Sequence, residues 1–229
     1  MSEQDRCQFC FNDKCLLLDV SRADVSFHPD EFTTLLRYEK GQTLFQENEP
    51  AYGYFIICKG AVKLSHHLDD GRTHIVAVLG PGDLLGMEAQ ATGRFNVEAE
   101  AMAATEVGFI DRNDLQTLVG RFPALAASLI EKLSEEVATL QERLWATARP
   151  GAPSRLAYLL LDLAHTHGRE HPEGTVIDLV LTREELAEMA GVSRETASLT
   201  LSRFAKRDWI EANGRRIVVK DPQALDELV

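Results

Sequence analysis

Three cysteines stand close together at the beginning of the sequence. Cys7, Cys10 and Cys15 form a C-x2-C-x4-C array, and Cys58 is the only other cysteine in the chain. Closely spaced thiolates are soft ligands that suit an iron-sulfur cluster or a zinc ion, and both usually take four ligands. The array therefore predicts a metal centre whose fourth ligand comes from elsewhere. A structural zinc site and a thiol switch without metal are the alternatives.

Cys58 is the candidate for the missing ligand because it is the remaining thiol. It follows the apolar run 54–57, which is typical of a buried strand. A small buried hydrophobic side chain is therefore the alternative interpretation of Cys58. Asp13, Asp19 or a histidine could complete the site instead, which would leave a cluster more labile or more open to nitric oxide.

A second set of residues, near the carboxyl end, has the chemistry of base recognition. Arg194 can make two hydrogen bonds to guanine, Glu195 can accept one from the cytosine amino group, and Leu199 can contact a thymine methyl. Ser198 lies on the same predicted helix face. The window 191–220 around them holds seven basic and three acidic residues, a local net charge of +4 in a chain of net charge -12. The positive charge that DNA phosphates require is thus concentrated where these residues lie.

The elements around these residues predict a helix-turn-helix. Thr182, followed three residues later by Glu185, has the form of a capping box, and Gly191 allows a tight turn after the helix. Ser193 then starts a second helix, whose first turn would enter the major groove. We expect four residues near the helix amino termini to contact phosphates: Thr182, Arg183, Ser193 and Thr196.

The chain ahead of this motif shows two other patterns. From 35 to 110, short alternating runs separated by glycine turns predict an antiparallel β-roll. From 121 to 149, apolar residues recur every three or four positions, which predicts one long amphipathic helix ending at the breaker cluster 149–153. We expect this helix to form a parallel dimer seam, with packing on the roll as the alternative. The expected seam residues are Leu125, Leu129, Leu133, Val137, Leu140 and Leu144.

Together these patterns predict an α+β chain of four segments. They are a cysteine-bearing segment (1–18), a β-roll sensor domain of the cyclic-nucleotide-binding type (19–120), a dimerisation helix (121–149) and a winged helix-turn-helix domain (150–229), whose wing is a hairpin over 209–219. The amino terminus lacks an apolar signal-peptide core, and no run of about 18 apolar residues occurs. We therefore expect a cytoplasmic protein.

The sequence does not favour an enzyme. It contains no nucleophile elbow, no phosphate-cradling glycine loop and no paired carboxylates at a plausible site. The enzyme alternative is a cupin-like metal catalyst that would use roll histidines such as His66, His67 and His74. Because neighbouring strand residues point to opposite faces, His66 and His67 cannot both ligate one metal easily.

Three stretches resemble the CRP/FNR superfamily of bacterial transcription regulators: Lys40-Gly-Gln-Thr-Leu-Phe45, Gly82-Asp-Leu-Leu-Gly86 and residues 181–198. The resemblance implies a homodimer joined by the long helix, a two-fold symmetric operator and contact with RNA polymerase. The chain departs from the family's Arg-Glu-x-x-x-Arg recognition pattern, because Leu199 stands at the place of the second arginine. We therefore expect an operator different from the family's common half-site.

The resemblance also bears on the signal. Members that bind cyclic AMP hold its ribose with a glutamate and its phosphate with an Arg-Ser or Arg-Thr pair. Here Met87 and Phe95-Asn96 occupy those positions, and Arg94 sits one residue early, on the other strand face. Cyclic nucleotide binding is therefore not expected.

The cysteine array is similar instead to that of oxygen-sensing FNR proteins, which hold a [4Fe-4S] cluster. The chain departs from the FNR pattern twice. The spacing between Cys10 and Cys15 is one residue shorter, and Gly108 stands where the fourth cysteine is expected. The sequence thus predicts a regulator controlled by a cluster that responds to oxygen, nitric oxide or redox state. A small organic effector bound in the roll is the alternative signal.

Overall fold

The computed structural model describes residues 15–24, 26–68, 71, 73–214 and 216–229. Three residues weighed as metal ligands, Cys7, Cys10 and Asp13, lie outside the described residues, as does Arg215 of the predicted wing. The chain divides into two units, Met1–His66 with Val76–Ala138, and His67–Ile75 with Thr139–Val229. In the described part of the chain, no helix has the length and apolar character needed to span a membrane.

Eight strands form the predicted β-roll, which the structure confirms. They are β1 (Thr34–Tyr38), β2 (Thr43–Phe45), β3 (Gly53–Lys59), β4 (Val62–His67), β5 (Thr73–Leu79), β6 (Leu84–Leu85), β7 (Glu98–Ala101) and β8 (Thr105–Asp111). Two four-stranded sheets result, with the orders β1-β8-β3-β6 and β2-β7-β4-β5. Both sheets contribute to one buried core, in which the rings of Phe45 and Phe95 stack with centroids 3.8 Å apart.

A second core lies on the other face of the β1-β8-β3-β6 sheet. Alternation along β3 places Phe55 and Ile57 in the first core and Tyr54 and Ile56 in the second. Four helices accompany the roll: α1 (Leu16–Ala23), α2 (Ala89–Thr92), α3 (Arg112–Arg121) and α4 (Pro123–Thr147). Residues of α1, α3 and the beginning of α4 fill this second core. We call it the outer core, and it includes Cys15.

The long helix α4 differs from the expected dimer seam in its first turns. Leu125 and Leu129 are buried in the outer core of their own chain, together with Phe122. Their assignment to the dimer seam is therefore wrong, because the roll and α1 already cover these side chains. Farther along α4, five apolar residues are exposed at steps of three and four: Ile130, Leu133, Val137, Leu140 and Leu144.

The carboxy-terminal part is the predicted winged helix. Its elements are α5 (Gly151–His167), β9 (Gly168–His171), β10 (Gly174–Ile177), α6 (Arg183–Ala190), α7 (Arg194–Lys206), β11 (Ile210–Asn213), β12 (Arg216–Val219) and α8 (Pro222–Asp226). The four strands form an antiparallel sheet of order β11-β12-β10-β9. α5 begins within the breaker cluster 149–153. Pro153 is tolerated there because it falls in the first turn, where a backbone N–H has no partner within the helix.

Candidate DNA-binding surface and cysteine site

α6 begins with the predicted capping box. The Thr182 hydroxyl oxygen accepts a hydrogen bond from the Glu185 backbone N–H at 3.1 Å, and the Glu185 carboxylate accepts one from the Thr182 backbone N–H at 2.7 Å. The Thr182 hydroxyl also donates to this carboxylate at 2.8 Å. Because that hydroxyl is engaged within its own helix, the neighbouring half-buried Arg183 is the better candidate for a phosphate contact in this turn.

The turn between α6 and α7 is set by Gly191. This residue has a φ of 62°, in the left-handed region that glycine adopts without strain. The Val192 N–H donates to the Ala187 carbonyl at 3.0 Å, which closes α6 with a Schellman motif. Ser193 then caps α7, as its hydroxyl oxygen accepts a hydrogen bond from the Thr196 N–H at 3.2 Å. Local hydrogen bonds thus fix the relative direction of the two helices.

α7 has one buried and one exposed face. Ala197, Leu201 and Phe204 are buried in the core of the winged helix. On the other face Arg194 and Glu195 are exposed, Ser198 is half-buried, and Leu199 is 68% exposed despite its apolar side chain. An exposed leucine in the middle of a polar face contributes little to packing of the core. Its side chain is instead available for an apolar contact with a thymine methyl group. The arrangement has the geometry expected of a recognition helix.

The two charged residues at the start of α7 remain available to bases. The Arg194 Nε lies 3.7 Å from Glu184 Oε2, and both side chains are exposed, so this pair holds Arg194 only weakly. The pKa of Glu195 is lowered by its own backbone N–H and then by the Ser193 hydroxyl. Glu195 is therefore an ionised hydrogen-bond acceptor at neutral pH, as contact with a cytosine amino group requires.

Ser202 belongs to the same exposed face, beyond Leu199, the last residue of the base-contacting set predicted from the sequence. It lies one helical turn beyond Ser198 and donates its hydroxyl to the Ser198 carbonyl at 2.8 Å. The spacing of four residues was the signal that could have identified it. The exposed polar face thus extends over the first three turns of α7.

The described cysteines lie at the outer core. Cys15 directly precedes α1 and is 1% exposed. It is buried in the same core as four residues of that helix: Leu16, Leu17, Leu18 and Val20. Cys58 lies on β3 and is half-buried against the same core. The fold thus places two cysteines that are far apart in the chain at the same apolar core. Among the described residues, three or more His, Cys, Asp or Glu side chains are nowhere grouped to hold a metal ion.

The roll positions linked by resemblance to cyclic AMP carry no phosphate-binding group. Phe95 is fully buried and stacked on Phe45, and Met87 packs against the outer core. Arg94 is exposed, and its guanidinium donates to the Asn48 carbonyl at 2.6 Å. Phe95 lies before β7 and not on a strand, and its ring occupies the core at the position where the resemblance would require a phosphate-binding side chain.

Comparison with known proteins matches both halves of the chain. Residues 35–122 match the family model of the cyclic nucleotide-binding domain, and residues 154–228 match that of the Crp-like helix-turn-helix domain. The chain is similar to the CRP-like cAMP-activated global transcriptional regulator of Mycobacterium tuberculosis, with 29% identity over 189 residues, 82% of this chain and 84% of that protein.

Two further proteins are similar, one in sequence and one in its solved structure. The nitrogen fixation regulation protein FixK of Azorhizobium caulinodans is 29% identical over 212 residues, 90% of this chain and 85% of that protein. The structure of FixK2 from Bradyrhizobium japonicum has a TM-score of 0.76 at 27% identity and covers 86% of this chain and 96% of that one. The relatives named here are transcription regulators and not enzymes.

Proposed function

The chain belongs to the CRP/FNR family of DNA-binding transcription regulators, which act as dimers, and we propose that an iron-sulfur cluster held by its cysteines controls its binding to DNA. The signal in this proposal is oxygen, nitric oxide or the redox state of the cell. The proposal also includes a cytoplasmic location, where reducing conditions keep the thiols reduced, and a contact between the DNA-bound dimer and RNA polymerase.

The observation that carries the proposal is the position of Cys15 and Cys58 at one apolar core. Cys15 is held there by the buried helix α1, and the array places Cys10 and Cys7 shortly before it. Thiolates are the usual ligands of iron-sulfur clusters, and an apolar surrounding limits the access of water. A bound cluster would supply a group that changes on reaction with oxygen, nitric oxide or oxidants.

The same core supports a route from the cysteines to the dimer helix. Leu125 and Leu129 of α4 are buried in the outer core together with Cys15. Tightly packed side chains transmit a change in volume to their neighbours. Loss of a ligand at Cys15 would therefore alter the packing under the first turns of α4, just before its exposed apolar residues begin at Ile130.

We predict that protein purified without air is brown and contains about four irons and four sulfides per chain, as Cys₄-bound [4Fe-4S] clusters do. Cys10→Ser should remove the iron and the visible absorption, whereas Gln8→Ser, a polar change beside the array, should preserve both. Iron and sulfide analysis with anaerobic spectroscopy measures this. Colourless anaerobic wild-type protein, with zinc or without metal, would overturn the proposed cluster and leave the DNA-binding function unaffected.

A cAMP-activated relative makes cyclic AMP the competing signal, and the buried position of Phe95 supports our expectation that it does not act here. Because Phe95 fills the place of a phosphate-binding side chain, we expect millimolar cyclic AMP to change operator affinity by less than about twofold. A ligand that does not bind one conformation of the protein more tightly than the other cannot shift the equilibrium between them. Fluorescence anisotropy of labelled operator, titrated with and without cyclic AMP, measures the effect. A clear gain in affinity would show that the roll opens to admit the nucleotide.

A further inference from the structure

We infer that Arg155 positions the recognition helix α7 by holding the turn that joins α6 to α7. Arg155 lies near the start of α5 and belongs to neither the base-contacting nor the phosphate-contacting set predicted from the sequence. The inference rests on the DNA-binding function and on α7 as the helix that reads the bases, and it does not depend on the proposed cluster. It adds a residue that acts on base recognition through the backbone of a turn, without touching DNA.

The carbonyl groups at the end of α6 need hydrogen-bond donors from outside the helix. The last carbonyl oxygens of any helix lack an N–H partner within it. The Schellman turn supplies the Ala187 and Glu188 carbonyls with the N–H groups of Gly191 and Val192. The carbonyls of Ala190 and Gly191 come next, where the chain changes direction toward α7, and their donors must come from another element.

Arg155 provides these donors from α5. Its Nε donates to the Ala190 carbonyl at 3.0 Å, and its Nη2 donates to the Gly191 carbonyl at 3.4 Å. Because a guanidinium group is planar and rigid, two bonds from it fix the orientation of two consecutive carbonyls. Its positive charge also lies at the negative end of the α6 dipole. Within the described residues no carboxylate pairs with Arg155, so the turn is the polar partner of its charge.

The contact joins a fixed helix to an adaptable turn. Leu156 and Leu160 are fully buried, which holds the α5 backbone on both sides of the Arg155 side chain in the core of the winged helix. The turn contains Gly191, whose backbone could adopt other angles, and α7 begins only three residues later at Arg194. Binding residues must be placed to within about 0.5 Å, so a rotation of this turn would misplace the base contacts of α7.

The test compares affinity for an operator that the wild-type protein selects from random DNA with affinity for a scrambled duplex. Arg155→Ala should lower the ratio of the two affinities by about tenfold or more, because the base contacts are misplaced. It should change affinity for the scrambled duplex by less than about twofold, because phosphate contacts are kept. Arg155→Lys keeps the charge without the planar fork and should restore the ratio only in part. Arg169→Ala, which removes an exposed arginine of β9, is the control and should keep the ratio.

A double-mutant cycle with Glu195 shows whether Arg155 acts through α7. The loss in Arg155→Ala combined with Glu195→Ala should be smaller than the product of the two single losses, because a misplaced α7 has already weakened the Glu195 contact. Single losses that multiply in full would mean that Arg155 does not act through this contact. Thermal melting by circular dichroism confirms that each variant is folded during the binding measurement, and Arg155→Lys replaces Arg155→Ala in the cycle if the latter does not fold.

The outcomes separate this inference from the function on which it rests. Wild-type protein without preference for any operator, or a Glu195→Ala protein with the wild-type ratio, would overturn base reading by α7 itself. If Glu195→Ala loses the ratio while folded Arg155→Ala keeps it, only the positioning role is wrong. Equal losses of affinity for the operator and the scrambled duplex in Arg155→Ala would make Arg155 a phosphate contact, which also contradicts the inference.

Discussion

Glu195→Ala is expected to remove most of the protein's preference for its operator over other DNA while leaving the fold intact. The Glu195 carboxylate is exposed, ionised and outside the core of the winged helix, so its loss removes a base contact and no packing. A contact of this kind discriminates against a wrong base pair by about 1–3 kcal/mol, and a symmetric dimer makes it twice. The ratio of operator to nonspecific affinity should therefore fall by about 2–6 kcal/mol, which is roughly 30-fold to 10⁴-fold. Arg194→Ala should act in the same direction.

The measurement begins with an operator selected from random DNA by the wild-type protein. Competition binding then gives the ratio of affinities for this operator and for a scrambled duplex. Glu170→Ala is the matched control, because Glu170 is an exposed carboxylate on β9 of the same domain. If Glu195→Ala kept the wild-type ratio, α7 would not be the recognition helix.

Val137→Glu is expected to convert the dimer into a monomer and to lower operator affinity by roughly a hundredfold or more, because a monomer binds one half-site without the avidity of two. The exposed α4 residues form a heptad stripe, with Ile130 and Val137 at a positions and Leu133 and Leu140 at d positions. A β-branched residue at a with leucine at d is typical of a parallel two-stranded coil. A glutamate at position 137 would place two like charges at the centre of this seam.

Ala138→Glu is the control for this prediction. It adds the same charge to the next residue, which is exposed and faces away from the stripe. The control should remain dimeric, and both variants should keep the helix, since Val137 is 54% exposed in the single chain. Sedimentation velocity measures the mass. A dimeric Val137→Glu protein would mean that other residues hold the two chains together.

The sequence predicted the winged helix-turn-helix in detail because its signals are local. The capping box of Thr182 and Glu185, the turn at Gly191 and the cap at Ser193 each depend on contacts within a few residues. The alternating runs of the roll also predicted its architecture, since a strand shows its buried face directly in its sequence. The individual base and phosphate contacts of α6 and α7 remain predictions.

Long-range contacts decided what these patterns left open. A stripe of leucines on α4 has the same period whether it packs on its own chain or on a partner, and only the position of the roll and α1 showed that Leu125 and Leu129 are covered. Likewise, the contact of Arg155 with the turn after α6 exists only because α5 packs beside α6. The sequence by itself thus determined the domain type and the chemistry available, because both depend on neighbouring residues. The tertiary structure decided which side chains share a site, because that depends on strands and helices distant in the chain.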